Sequence, residues 1–449
     1  MPGINLKKNI LLGGSSRLLI MGLSFLCSWI SARFLGVELK GQYSYLVTLG
    51  GFIWMALDLG LYRSYPYLIR KHPDKLNSLL GWAILSFALE TLILAALGLG
   101  LLRFWNSILG FAFDPLYMLL FIGFITLTKL FMHLQSLYLG MDRVGLHSLG
   151  HILNSFACLL LFALGYFLFR GEGRLAFILG SVLLGLAAAS LFFLLAKSWG
   201  NPWREWQPRF VLGSYRFGIR VFLSSLLIML LIRADIVLIK HFLGFREVGI
   251  YAIGAHIVDM LQAASNVAGG LLFVKLSDTA DDRAKWVLMK KMLMLFFVFL
   301  TLTNLGFALL GKWVLQTLYG TDFVPAYGVY LWLIPASYGL SFGSLFNNYL
   351  NSKGFPVATI FIAGLALMVN IGLNLLLIPV WGIYGAALAT DIAYLLWFVL
   401  IISYEQRSSG GRMLPCLVPA RTDWRDFSRE LLSALHVRNR TKPGKGQSR

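Results

Sequence analysis

The chain has 449 residues, of which 58% are apolar and 13% charged, with a formal net charge of +19. Soluble domains carry about 25% charged residues, so this balance excludes an ordinary soluble globular protein, a disordered chain and a secreted disulfide scaffold. A mean hydropathy of +0.73 fits a polytopic helical membrane protein, and at about 20 residues per span the length allows about twelve helices.

Lys7 and Lys8 precede an apolar run from Ile10 to Ile30. It is longer than a signal-peptide core and has no small-residue cleavage site, so it reads as an uncleaved first span. The expected spans are 10–33, 42–63, 78–102, 116–138, 148–169, 174–197, 215–241, 249–273, 289–310, 326–349, 357–379 and 382–403. Gly and Pro recur inside them, as membrane helices allow. Cys27, Cys158 and Cys416 show no paired spacing, which argues against disulfides and a thiol metal site.

With the N-terminus inside, the cytoplasmic side holds 28 Lys and Arg and the other side 8. The positive-inside rule then puts both termini in the cytoplasm and makes the span number even. The basic residues lie in loops and the tail rather than on an aromatic-studded basic domain, so nucleic acid is not an expected partner. The expected organisation is a six-helix lobe over 1–197, a cytoplasmic linker over 198–214, a second six-helix lobe over 215–404 and a basic cytoplasmic tail over 405–449. The tail carries ten basic and four acidic residues. It reads as a solvated segment held near anionic lipid, or as a partner-docking helix built on Trp424, Phe427, Leu431 and Leu432.

The sequence repeats itself. Phe34-Leu35-Gly36, then Gly41 and Tyr43, matches Phe242-Leu243-Gly244, then Gly249 and Tyr251, at an offset of 208. Gly173 to Phe177 opens span six as Gly382 to Ala386 opens span twelve, at an offset of 209. Tyr138-Leu139 pairs with Tyr349-Leu350 at an offset of 211. Both halves start on the same side, so this is a parallel repeat. Transporters built this way bind substrate between the halves and alternate access by rocking.

Charges at membrane depth cost about 2.5–3.5 kcal/mol each on insertion scales, so each needs a reason. Span one aligns Gly13, Arg17, Ser24, Ser28 and Ser31 on one face; span four aligns Thr126, Lys129, His133 and Ser136. Span ten aligns Ser337, Ser341, Ser344 and Asn348, a pattern that suits close helix packing. Arg17 and Lys129 either line a hydrated path or pair with an acid, and Asp58 and Glu90 are available. In span seven, Arg233 and Asp235 are ~200° apart at 100° per residue. The Arg220–Ser224–Asp235 face is the one expected toward the cavity, with Arg233 paired inside the C-terminal half. Span eight aligns His256, Asp259 and Asn266. Glu90, Asp259 and Asp391 are candidates for a coupling cation, and His256, one turn before Asp259, for a proton.

No catalytic set and no His- or Cys-rich metal set is present, so the chain reads as a non-enzyme without a cofactor. Gly306-x4-Gly311-Lys312-Trp313 lacks the Ser or Thr that a P-loop needs after Lys.

Several segments together resemble one family. They are Arg33-Phe34-Leu35-Gly36 with Gly41 and Tyr43, Arg233-Ala234-Asp235 with the second copy of that motif, and Leu318-Tyr319-Gly320-x-Asp322-Phe323-x-Pro325-Ala326. Asn348-Tyr349-Leu350-Asn351-x-Lys353-Gly354 and Asn374 to Pro379 followed by Gly382 to Ala387 complete the series. In this order they resemble the polysaccharide-transport branch (Wzx-type oligosaccharide flippases) of the MOP superfamily, over about residues 5–404. Val274 stands where that family commonly has Pro, which removes the expected reason for a kink at the end of span eight.

The resemblance implies a bilobed twelve-helix fold whose cavity is lined by spans one, two, seven and eight. It also implies transfer of an undecaprenyl-pyrophosphate-linked oligosaccharide from the inner to the outer leaflet of the cytoplasmic membrane of a bacterium or archaeon. Arg17, Lys129 and Arg220 are then the expected pyrophosphate contacts, and Ser24, Ser224 and Asn266 the sugar contacts. Drive would come from the membrane potential, worth about 2.3 kcal/mol per charge per 100 mV, or from H+ or Na+ antiport. The rivals are a MATE-like cation-coupled exporter and a non-transporting scaffold that docks other polysaccharide-assembly proteins through the tail.

Overall fold

A computed structural model describes residues 6–427 and 429, save 170, 198, 202, 204–206, 279–280 and 354–356; the side chains of 6–12, 216–217, 220–221, 266–278, 282 and 351–352 also lie outside the described residues. Among the described residues all regular structure is helical. Nine helices there are long and apolar enough to cross a membrane, and a bent pair makes a tenth.

Two of those nine are each two spans. In α1 (Leu6–Asp58), Gly36 has φ 74° and ψ 178°, open to glycine because it has no Cβ. In a straight helix Ser31 and Lys40 would be ~13.5 Å apart along the axis and half a turn around it. Yet Lys40 Nζ donates to Ser31 Oγ at 2.8 Å, so the chain folds back at Gly36. α13 (Ala358–Ser408) breaks likewise at Gly382 (φ 59°, ψ −140°). A Cβ on Gly385 would lie 2.3 Å from the Leu377 carbonyl oxygen. With α3 (Leu76–Gly100), α5 (Pro115–Gly140), α6 (Val144–Leu168), α7 (Arg174–Leu195), α8 (Pro208–Leu243), α9 (Phe245–Asp278) and α10 (Asp282–Leu318), eleven spans result among the described residues, and the bent pair brings them to about twelve.

The tenth span is the bent pair. α11 (Pro325–Trp332) and α12 (Ile334–Ser352) meet at 57°. Pro335, which has no N–H to give the preceding turn, stands at the break.

The repeat is visible in backbone and side chains. Gly244, between α8 and α9, has φ 91° and ψ −176°, close to its counterpart Gly36. Tyr138 and Tyr349 are both buried. Tyr138 donates to the Phe193 carbonyl at 2.6 Å, tying span four to span six. Tyr349 donates to Glu405 Oε1 at 2.9 Å, tying span ten to span twelve.

Three segments differ from the sequence reading. The expected loop over 63–77 begins with α2 (Leu61–Lys71), which buries Leu61, Tyr65, Leu68 and Ile69. Span two stops at Asp58 because Leu59 and Gly60 both take positive φ. α4 (Leu102–Leu109) is a further short helix after span three. The first part of the tail is not a solvated coil: Met413 and Leu417 of α14 (Met413–Leu417) join the C-terminal core. Beyond it, Trp424 packs edge-on against Phe297 of α10, and Lys290 Nζ lies 2.8 Å from Asp423 Oδ1. Leu431 and Leu432 lie outside the described residues, as does the side chain of Val274.

Candidate functional site

The two halves meet on spans one, two, seven and eight. At the end marked by Gly36 and Gly244, Gly41 crosses Gly249. A Cβ on Gly41 would lie 1.8 Å from the Phe245 carbonyl oxygen, and one on Gly249 would lie 2.1 Å from that of Val37. Only bare backbone fits there. Trp29 Nε1 and Arg33 Nε add 2.5 Å bonds from span one to the Leu318 carbonyl at the end of α10. Toward the other end, Gly60 meets Gly218: a Cβ on Gly60 would lie 2.6 Å from the Gly218 carbonyl oxygen.

Between these contacts lies a cavity of about 340 Å³. Its N-terminal wall is rich in hydroxyls: Ser24, Ser28 and Ser31 from span one, and Tyr43, Ser44 and Thr48 from span two, with Lys40. Its C-terminal wall carries Arg233, His256 and Asp259 among apolar residues. A second cavity of about 360 Å³ shares Met229, Arg233 and Asp259 and continues past Arg63, Ser225 and Gln262.

Arg233 Nη2 lies 2.6 Å from Asp259 Oδ2, with 32% and 21% of the two side chains exposed. That pair is therefore within reach of a ligand. Lys40 is buried on its bond to Ser31. Arg63 Nη1 donates to Ser225 Oγ at 2.5 Å across the halves. The described lining of both cavities thus has three cations and one carboxylate.

The sequence candidates divide sharply. Ser24, His256 and Asp259 line the cavity. Arg17 is exposed on span one and is not among the lining residues of either cavity. Lys129 is buried and bonds Glu90 between spans three and four. Neither lines the two cavities described. Asp58 is buried 2.6 Å from His133 Nε2, whose Nδ1 lies 2.7 Å from the Tyr65 hydroxyl. Asp391 Oδ1 accepts the Ala336 N–H at 2.7 Å. It thus caps the α12 turn that the break at Pro335 opens, a structural duty of the N-cap kind. The side chains of Arg220 and Asn266 lie outside the described residues.

Span seven is a correction. Arg233 and Asp235 do point apart, but the faces are reversed. Arg233 lines the cavity. Asp235 is buried inside the C-terminal half, taking the Tyr251 hydroxyl at 2.5 Å and the Ile236 N–H at 2.8 Å. Ser224 is not among the lining residues; its neighbour Ser225 is. A void of about 10 Å³ beside Asp235, Tyr251, Thr390 and Tyr394 is the size of one water.

Lys40 was missed because it reads as part of the external loop. A signal existed: its counterpart at offset 208 is Val248, fully buried in the core. A lysine where the other half has core valine marks divergence inside the repeat.

The profile of a family described as polysaccharide biosynthesis protein matches residues 6–273. The chain belongs to that family. No curated protein matches it. Among solved structures, an inward-facing MATE-family multidrug resistance transporter of the MOP superfamily superposes with a TM-score of 0.70 at 13% identity, covering 90% of this chain and 99% of that one. The lipid II flippase MurJ, in an inward closed conformation, gives 0.66 at 13% identity, covering 97% and 93%. A MOP-superfamily transporter from Pyrococcus furiosus gives 0.65 at 15% identity, covering 90% and 96%. The fold is that of MOP-superfamily transporters, and the chain is a multi-pass membrane protein.

Proposed function

We propose that the protein moves a lipid-linked oligosaccharide bearing a pyrophosphate across the cytoplasmic membrane, by alternating access between its halves. The observation that carries this reading is the composition of the cavity. Hydroxyls of Ser24, Ser28, Ser31, Ser44 and Thr48 share one space with Lys40 beside them and Arg233 on the opposite wall. Sugar hydroxyls and a phosphate oxygen need that combination, since charge-assisted bonds to phosphate are the strong ones. Family membership in polysaccharide biosynthesis supports the same substrate class. Lys40 and Arg233 take the pyrophosphate role, in place of Arg17 and Lys129.

A MATE-like exporter of organic cations fits less well. Asp259 is the one carboxylate in the described lining, and Arg233 already holds it. For coupling, Asp235 with Thr390 beside the water-sized void is the place in the C-terminal half to hold H+ or Na+. In this reading both termini are cytoplasmic.

The test is thermal shift and native mass spectrometry on purified protein, with an undecaprenyl-pyrophosphate oligosaccharide and an organic-cation drug as ligands. Stabilisation by the lipid, lost in Arg233→Ala and reduced in Lys40→Met, is expected. Stabilisation by the drug alone would overturn the reading.

A further inference from the structure

A cavity of about 720 Å³ lies apart from the transport path, on the face that carries the tail. Arg283 enters it from the first turn of α10, Lys353 from the end of α12, and Arg412 from the turn before α14. Three cations from three distant stretches converge on one space.

The fold fixes this arrangement. Lys353 Nζ lies 2.5 Å from Glu405 Oε1, and Glu405 is buried and also held by Tyr349. Trp286 Nε1 donates to the same tyrosine hydroxyl at 3.0 Å. Met413, fully buried, pins the segment next to Arg412. The acid on the rim, Asp281, is committed to the backbone N–H groups of Arg283 and Ala284, at 3.0 and 3.2 Å. Arg283 and Arg412 have no carboxylate partner among the described residues. Glu405 answers Lys353, which leaves Arg283 and Arg412 as exposed like charges on one cavity, where an anion would relieve their repulsion.

The chemistry of the lining selects the ligand. Arginine pairs bidentately with phosphate oxygens. The volume falls within the ~300–1,000 Å³ of ordinary ligand pockets. The cavity is lined from the first turn of α10, the residue after α12 and the end of α13, where membrane helices end. Basic pockets between helix ends on the cytoplasmic side hold anionic headgroups.

We propose that the Arg283–Lys353–Arg412 cavity binds a phosphate ester, supplied by the headgroup of an anionic phospholipid. The site does not depend on what the central cavity carries.

The experiment uses the full-length protein in neutral detergent, with phosphatidylglycerol, phosphatidylcholine and ATP as probes, read by native mass spectrometry and thermal shift. Phosphatidylglycerol is expected to bind and stabilise, and Arg283→Gln with Arg412→Gln to weaken it by about tenfold. Lys353 is left in place, because its loss would strand the buried Glu405. Arg421→Gln, Arg425→Gln and Arg429→Gln together, a stripe on the docked tail, are expected to leave that binding in place. Stabilisation by ATP and not by the lipid, lost in the double variant, would keep the phosphate chemistry and move its source to a soluble ester. Wild-type binding by the double variant would overturn the site. So would loss of binding in the tail variant alone, or no stabilisation by either phosphate.

Discussion

Each half of the protein holds an ion pair at membrane depth, and the two pairs do opposite work. Lys129 is buried inside the N-terminal half, and neither it nor its partner Glu90 lines the two cavities. Arg233 and Asp259 stand in the cavity wall, partly exposed. The walls differ in the same sense: the N-terminal wall offers hydroxyls and one lysine, and the C-terminal wall a charged pair. The lesson is that a charge in a span needs a partner, but only a charge on the shared face can meet a substrate.

The strongest way to break this comparison is to cut the pair that lies off the cavities. Lys129→Met should destabilise by about 3–5 kcal/mol, because it leaves Glu90 without its partner in a low-dielectric site. Lys129→Met with Glu90→Leu should recover most of that, with flux near wild type. A stable single variant, or a stable double variant without flux, would make the two pairs equivalent.

Arg233→Ala should instead leave a folded protein and reduce lipid-linked substrate flux in proteoliposomes by about 100-fold, near 3 kcal/mol. Retained flux would remove the C-terminal wall from the mechanism. Lys40→Met sharpens the contrast from the other side. Its expected effect is about tenfold weaker binding of a pyrophosphate-bearing lipid, or about 1.4 kcal/mol, with little change in melting temperature. Ser28→Ala should cost only about 0.5–1.5 kcal/mol of binding, the worth of one neutral hydrogen bond. A larger loss in Ser28→Ala than in Lys40→Met would mean that hydroxyls dominate the wall.

The smallest effect concerns the tail. The Lys290 ammonium and the Ala420 N–H hold the Asp423 carboxyl below the usual carboxylate range. A depressed carboxyl contributes to docking above its ordinary pKa, and that contribution is lost as pH falls through the lowered value. A fluorophore on Thr422→Cys should therefore report a docked tail at neutral pH and release only below the usual carboxylate range. Asp423→Asn should flatten that profile.

The sequence was legible where the physics is local. Apolar runs gave the spans, and Phe-Leu-Gly with its glycine and tyrosine gave the repeat, because those positions need positive φ or bare backbone. The angle between Arg233 and Asp235 was also legible, since helix geometry sets it. Which of them faces the cavity was not, because the answer lies in Tyr251 and Asp259 on the next helix. Asp391 looked like an ion site for a similar reason. Its duty appears only when the break at Pro335 brings the Ala336 N–H against it. Lys129 had two acids within reach in sequence, and only packing chose Glu90.

The crossing of Gly41 and Gly249 has a consequence for descent. The repeated motif meets its own copy there, as in a self-complementary contact between two like subunits. A half-length chain joined to a second copy of itself would make the same crossing. Ancestry by duplication thus needs no new interface, only a linker. The two glycines must then stay matched while the positions beside them are free to specialise, as Lys40 and Val248 have.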